Sequence, residues 1–149
     1  SETDYDKWDA YAQSKLANLL FAHELDRRLR GAGATVKSVG CHPGYADTGL
    51  QRRGPEMAGS RLRLWVMKFA NLVAAQSAER GALPMLHAAT ASDIEGGEYV
   101  GPGGFANMRG APEIQPPSGL STDETLAARL WSVSEALTDV SFGLAGSED

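Results

Sequence analysis

Between positions 9 and 30, leucines recur at three- and four-residue spacing: Leu16, Leu19, Leu20, Leu25 and Leu29, with Ala10, Ala12, Ala17 and Ala22 between them. That period places apolar side chains on one face of a helix, and alanine is the strongest helix former. The pattern predicts a helix from about Asp9 to Arg30, with Asp9 as its N-cap. Arg27, Arg28 and Arg30 stand where a helix C-terminus favours cations, and Gly31 and Gly33 end the helix. Thr35 to Cys41 follows as a short strand, β-branched at Thr35, Val36 and Val39 and stopped by His42-Pro43-Gly44. A helix, a glycine turn and a strand are half of an α/β repeat, which implies a parallel sheet.

The pattern then changes. Residues 45–60 read as loop, with Gly49, Gly54, Pro55 and Gly59. Residues 61–75 are apolar on nearly every face of a helix (Leu62, Trp65, Val66, Met67, Phe69), so they need cover from elsewhere. Ser77 to Ala91 predicts a second helix with Ser77 as N-cap and Glu79 in the first turn. Pro84 bends it unless it falls within that turn. Glu98 to Val100 is a strand. Residues 101–119 are rich in glycine and proline and carry no period, so they are expected to be structureless. Ser121-Thr-Asp-Glu124 reads as a capping box, and Leu126, Leu130, Trp131, Val133 and Leu137 give the helix behind it an apolar stripe. The tail after Phe142 is expected to fray. Two strands so far apart do not make a stable sheet. The count of elements therefore implies part of an α/β domain.

Composition narrows the class. The chain has 149 residues, 42% hydrophobic and 22% charged, as in an ordinary globular protein. Its net charge of -5 argues against nucleic acid, which needs a basic face. Cys41 is the one cysteine, so no internal disulfide forms, and a reducing, cytoplasmic setting is expected. No apolar run reaches the roughly 18 residues of a membrane span. The polar start, Ser1 to Lys7, does not read as a signal peptide.

Tyr11 and Lys15 stand four apart near the start of the first helix, so they share a face. An ammonium held beside a phenol favours the phenolate, which makes a proton donor and acceptor of tunable strength. By spacing alone such a pair also arises by chance in many helices. Its setting is more specific. The string Tyr11-Ala-Gln-Ser-Lys-Leu-Ala-Asn18 resembles the active-site helix of the short-chain dehydrogenases/reductases, in the branch of the retinol dehydrogenases and protochlorophyllide reductases. The resemblance implies that Tyr11 exchanges a proton with an alcohol or carbonyl, and that Lys15 favours its phenolate and holds the nicotinamide ribose. Tyr5 competes, but Asp9 stands where its lysine belongs.

Cys41-His42-Pro43-Gly44-Tyr45-Ala46-Asp47-Thr48 resembles the family's Pro-Gly-x-x-x-Thr loop, which implies that Pro43, Gly44, Tyr45 and Thr48 seat the nicotinamide of NAD or NADP. A turn at the carboxyl end of a strand is where open α/β sheets bind ligands. Ser77–Ala82, Gly97–Pro102 and Leu130–Glu135 also resemble the family's later helix, last strand and final helix. The implied organisation is an active-site helix at 9–30, a cofactor loop at 42–48, a substrate lid at 49–75 and the last helices and strand at 77–142. Together these form the C-terminal portion of one Rossmann-type, doubly wound parallel sheet, with about two strands. The implied reaction moves a hydride between NAD(P) and an apolar alcohol/carbonyl pair. The apolar segment 61–75, flanked by Arg52, Arg53, Arg61 and Arg63, is expected either to pack within the protein or to touch a membrane surface. The family's habit of pairing through the Tyr-Lys helix suggests a homodimer.

Gly101-Pro-Gly-Gly-Phe-Ala106 matches a dinucleotide pattern after a strand, but polar and glycine residues follow it instead of a helix, so it is not a phosphate loop. The family's glycine-rich phosphate loop and catalytic serine precede the tyrosine and have no counterpart here. The competing reading is therefore a non-catalytic module that acts by association with another polypeptide. Three scattered histidines and one cysteine do not make a metal site.

Overall fold

The structure is a computed structural model that describes residues 5–44, 76–117 and 119–144. The segments expected as loop and lid, 45–75, lie outside the described residues, and Tyr45 and Thr48 with them. The elements run α1 (Lys7–Gly31), β1 (Gly40–Cys41), α2 (Ala78–Thr90), β2 (Tyr99–Pro102), β3 (Pro112–Ile114) and α3 (Glu124–Thr138), with 3-10 turns at Phe105–Asn107 and Gly119–Thr122. The strands form one sheet in the order β1-β2-β3. Gly40 N donates to Glu98 O and His42 N to Val100 O, both at 2.9 Å. Donor and acceptor advance together by two residues, which is the parallel pattern. β3 runs antiparallel to β2, with Val100 opposite Ile114 and Pro102 opposite Pro112. The result is the expected α/β class as a partly parallel open sheet, with one strand more than the sequence suggests.

That third strand corrects the expectation of a structureless 101–119. β3 is three residues long and begins with proline, so it carries no alternation to read. It exists because β2 offers it a ladder edge: Gly103 N donates to Ala111 O at 2.8 Å, and Gln115 Nε2 to Pro102 O at 3.1 Å. Of the strand expected at 35–41, only Gly40–Cys41 forms regular strand, although Ser38 O also accepts from Gly97 N at 2.8 Å.

The chain divides into two compact units. The first comprises Ser1–Gly40, Asp93–Tyr99 and Pro116–Asp149. Its core holds Leu20, Ile94, Ala127 and Trp131, all buried, and α1 packs on α3. Phe21 stacks on Trp131 with ring centroids 5.4 Å apart and planes 10° from parallel. Phe142 tilts against the same ring at 5.1 Å, and the Arg28 guanidinium lies 4.6 Å from its centroid. α1 begins one turn earlier than expected. Asp6, not Asp9, is the N-cap, because its Oδ1 accepts from Trp8 N at 2.7 Å and Asp9 N at 3.1 Å. The capping box at the head of α3 is also displaced. Asp123 caps, accepting from Leu126 N at 2.9 Å, because Ser121 is buried in the Gly119–Thr122 turn.

Two carboxylates of α1, Glu24 and Asp26, are each only 1% exposed. Glu24 accepts from Arg27 Nε and Nη2 at 2.8 and 2.7 Å and from Arg28 Nε at 2.7 Å. The hydrogen bonds from Arg27, with those from Arg28, hold the Glu24 carboxyl below its ordinary range against the opposing pull of burial. Asp26 Oδ1 accepts from Ser38 N at 3.1 Å. Arg30 Nη2 stands 2.6 Å from Asp26 Oδ2, an ion pair by distance whose direction is not that of a hydrogen bond. Gly96 lies so close that a Cβ there would overlap the Asp26 carboxylate. The arginines thus neutralise buried acids of their own helix as well as standing at its C-terminal end.

The second unit comprises Cys41–Ser92 and Val100–Gln115. Ser77 caps α2, its Oγ accepting from Arg80 N at 3.4 Å. Pro84 falls past the first turn, inside α2, with its side chain buried. Val100 is fully buried in β2. Among the described residues, no helix is long and apolar enough to cross a membrane, and no cluster of metal-ligating side chains forms.

Candidate functional site

The amphipathic period of α1 that buries Leu20 leaves its first turns open. Tyr11 is 50% exposed. Lys15 extends back along the helix so that its Nζ lies 5.3 Å from the Tyr11 ring centroid. The expected pair therefore does come together, one turn apart, through the face of the ring. Among the described residues, neither the Tyr11 hydroxyl nor the Lys15 ammonium is committed to a hydrogen bond or ion pair. Both are available to groups of a nicotinamide cofactor or a substrate, and in this respect they fit one. Ser14 Oγ donates to Tyr11 O at 2.7 Å, a contact that stays within the helix.

The Pro43–Gly44 turn sits at the carboxyl end of β1. Its backbone is tied down on both sides. Gly44 N donates to His42 Nδ1 at 3.2 Å, and Pro43 O accepts from Gln76 Nε2 at 2.7 Å. Gly44 has φ +65°, and a Cβ there would run into the Met108 carbonyl oxygen and the Pro102 ring. This turn is braced by its own chain. Tyr45 and Thr48, the expected cofactor contacts beyond it, lie outside the described residues. Sequence reasoning set His42 aside and gave Gln76 no role. The first could be found only by knowing where its ring nitrogen points. The second acts across 33 residues of chain.

Beside this turn, the second unit holds an open cleft of about 550 Å³. Gln76, Ser77 and Arg80 at the head of α2 form one wall, and Phe105, Arg109 and Gly110 another. Ala106 and Asn107 hold φ of 51° and 55°, a left-handed backbone that non-glycine residues adopt at some cost.

His42 is half-buried, and loss of hydration lowers its pKa below the ordinary value of 6.5. Only the neutral ring can accept the Gly44 N–H at Nδ1. The unfolded chain takes up the proton first as pH falls, so the stability tied to this ring is complete above about pH 6.5. It declines as pH falls toward the lower folded value. Denaturant midpoints measured from pH 7.5 downward, for wild type and His42→Asn, should diverge in slope below that point. The asparagine keeps an acceptor and does not titrate. Parallel pH profiles would contradict this role.

No protein-family model matches the chain. Curated relatives do. The mouse polyprenol dehydrogenase is 37% identical over 141 residues, 93% of this chain and 38% of that protein. Human retinol dehydrogenase 11 is 36% identical over 133 residues, 89% of this chain and 37% of that protein. The chloroplastic short-chain dehydrogenase TIC 32 B of Brassica napus is 32% identical over 137 residues. These relatives are short-chain dehydrogenases/reductases, and the chain is similar to them over about nine tenths of its length. A crystal structure of an uncharacterized protein from Mycobacterium paratuberculosis superposes with a TM-score of 0.65 and 35% identity, covering 93% of this chain and 42% of that one. The three-stranded sheet is accordingly part of the family's Rossmann-type fold. The chain spans less than two fifths of the length of the polyprenol and retinol dehydrogenases it matches, which agrees with the resemblance to the family's C-terminal portion.

Proposed function

We propose that this chain is the proton-transfer and nicotinamide-seating part of an NAD(P)-dependent oxidoreductase acting on an apolar alcohol/carbonyl pair. The observation that carries the reading is the uncommitted Tyr11–Lys15 pair on the open face of α1. The braced turn ending a parallel strand supports it, at the edge of the sheet where ligands bind in such folds. Relatives named for retinol and polyprenol, both long apolar alcohols, support the substrate class. NAD or NADP, when bound, takes up or gives the hydride. In the oxidation direction the Tyr11 oxygen, as phenolate, accepts the hydroxyl proton while the carbinol C–H leaves as hydride, giving a carbonyl. Reduction reverses each transfer. Lys15 keeps a positive charge beside the phenol and offers its ammonium to the ribose hydroxyls.

The second reading, a module that works only in association with another polypeptide, is favoured by the open start of α1, where Tyr5 is 77% and Trp8 70% exposed. One titration separates the two. NADH and NADPH fluorescence is followed as this chain is added, for wild type and Lys15→Ala. Saturable binding weakened about tenfold or more by Lys15→Ala is expected, the loss of one charged hydrogen bond. A folded chain that binds neither cofactor would favour the associating module.

A further inference from the structure

Gln76 is a buried polar side chain that proton and hydride transfer do not use. It is 6% exposed and immediately precedes Ser77, the N-cap of α2. Its Nε2 donates to Pro43 O at 2.7 Å. A carbonyl acceptor fixes which end of the amide is which, so Oε1 is the opposite end, and it is buried without a hydrogen-bond partner among the described residues. An orphaned buried acceptor costs about 1–3 kcal/mol, whereas an apolar side chain of the same shape would be nearly neutral. Packing alone therefore gives no reason for glutamine here. What glutamine supplies is the donor to Pro43.

That donor acts where the turn has no slack. The next peptide, Gly44 N–H, is held by His42 Nδ1. Gly44 itself lies against the Met108 carbonyl and the Pro102 ring with no room for a side chain. We propose that Gln76 is a positioning residue that anchors the Pro43–Gly44 turn to the head of α2 and so sets where the cofactor loop begins. The link to the cofactor rests on the reading of that loop as the nicotinamide seat.

Gln76→Leu removes the orphaned acceptor but also leaves the Pro43 carbonyl without its donor, and the two effects oppose, so the thermal midpoint should stay near the wild-type value. Gln76→Glu keeps the shape and loses the donor. In both, the dissociation constant for NAD(P)H should rise about tenfold, the equivalent of one well-made hydrogen bond. A residue that only packs would move the midpoint and leave the affinity alone. A second readout is independent of the cofactor. Hydrogen exchange of the Gly44 amide, followed by NMR on the labelled chain, should speed up about tenfold in Gln76→Leu, since opening of the turn is what exposes it. Unchanged Gly44 exchange overturns the positioning role whatever the binding. Faster exchange with wild-type affinity for NAD(P)H overturns the link from the turn to the cofactor. Faster exchange with no cofactor binding even in wild type supports the positioning role and sinks the nicotinamide reading.

Discussion

Replacing Tyr11 with phenylalanine is expected to lower kcat/KM for an apolar alcohol by roughly 100- to 10,000-fold, the range over which a positioned acid or base contributes. The protein should otherwise be unchanged. The Tyr11 hydroxyl holds no hydrogen bond among the described residues, and half of the side chain faces solvent. Its removal leaves no buried partner unsatisfied, so stability should stay within about 0.5 kcal/mol, as for an ordinary surface substitution. The ring that Lys15 rests on remains, so NAD(P)H affinity should hold. The diagnostic is the split: turnover falls, while the midpoint and the cofactor dissociation constant stay. Turnover equal to wild type would remove Tyr11 from the chemistry.

The largest structural effect is expected at Gly44. Gly44→Ala forces a side chain into a left-handed conformation at φ +65°, and its Cβ meets a backbone carbonyl and a proline ring. Neither can swing away as the end of a lysine would. Strained backbone and overpacking each cost about 1–3 kcal/mol, so a loss of roughly 2–4 kcal/mol in denaturant unfolding is expected. NAD(P)H affinity should fall with it, because the turn must shift. Gly31→Ala is the matched control. It ends α1 with nothing within 4 Å of the added methyl, so it should be neutral or stabilising by up to about 1 kcal/mol. Equal midpoints for the two variants would show that the turn is not tightly held.

Local signals in the sequence were reliable where one residue type decides the outcome. The leucine and alanine spacing located α1, and Ser77 located the start of α2. The Tyr11–Lys15 pair was legible because helical spacing alone brings the two side chains together. Where two residues compete, the sequence could not choose. Asp6 and Asp9 are equally good caps, as are Ser121 and Asp123, and the winner depends on how the preceding turn folds. Contacts across the chain were not legible at all. β3 has no pattern of its own and is made by the edge of β2. Glu24 and Asp26 sit on α1 as acids that a stripe analysis assigns to solvent, yet arginines one turn away let them be buried. Gln76 matters only because Pro43 lies beside it.

The first unit is built from three separate stretches of chain and the second from two, so the polypeptide passes from one to the other four times. Such interleaving sets an order on synthesis. α1 leaves the ribosome well before α3, and the ring that Phe21 stacks on belongs to Trp131 of α3. Until α3 emerges, Phe21 and Leu20 have nothing from that helix to cover them. The second unit has all of its chain once Gln115 is made, but the first cannot close around its core until Pro116–Asp149 follows, and long-range pairings of this kind are slow to form. Nascent chains stalled before residue 131 should therefore be clients for a chaperone that holds exposed apolar helices, and release should come only when α3 has been translated.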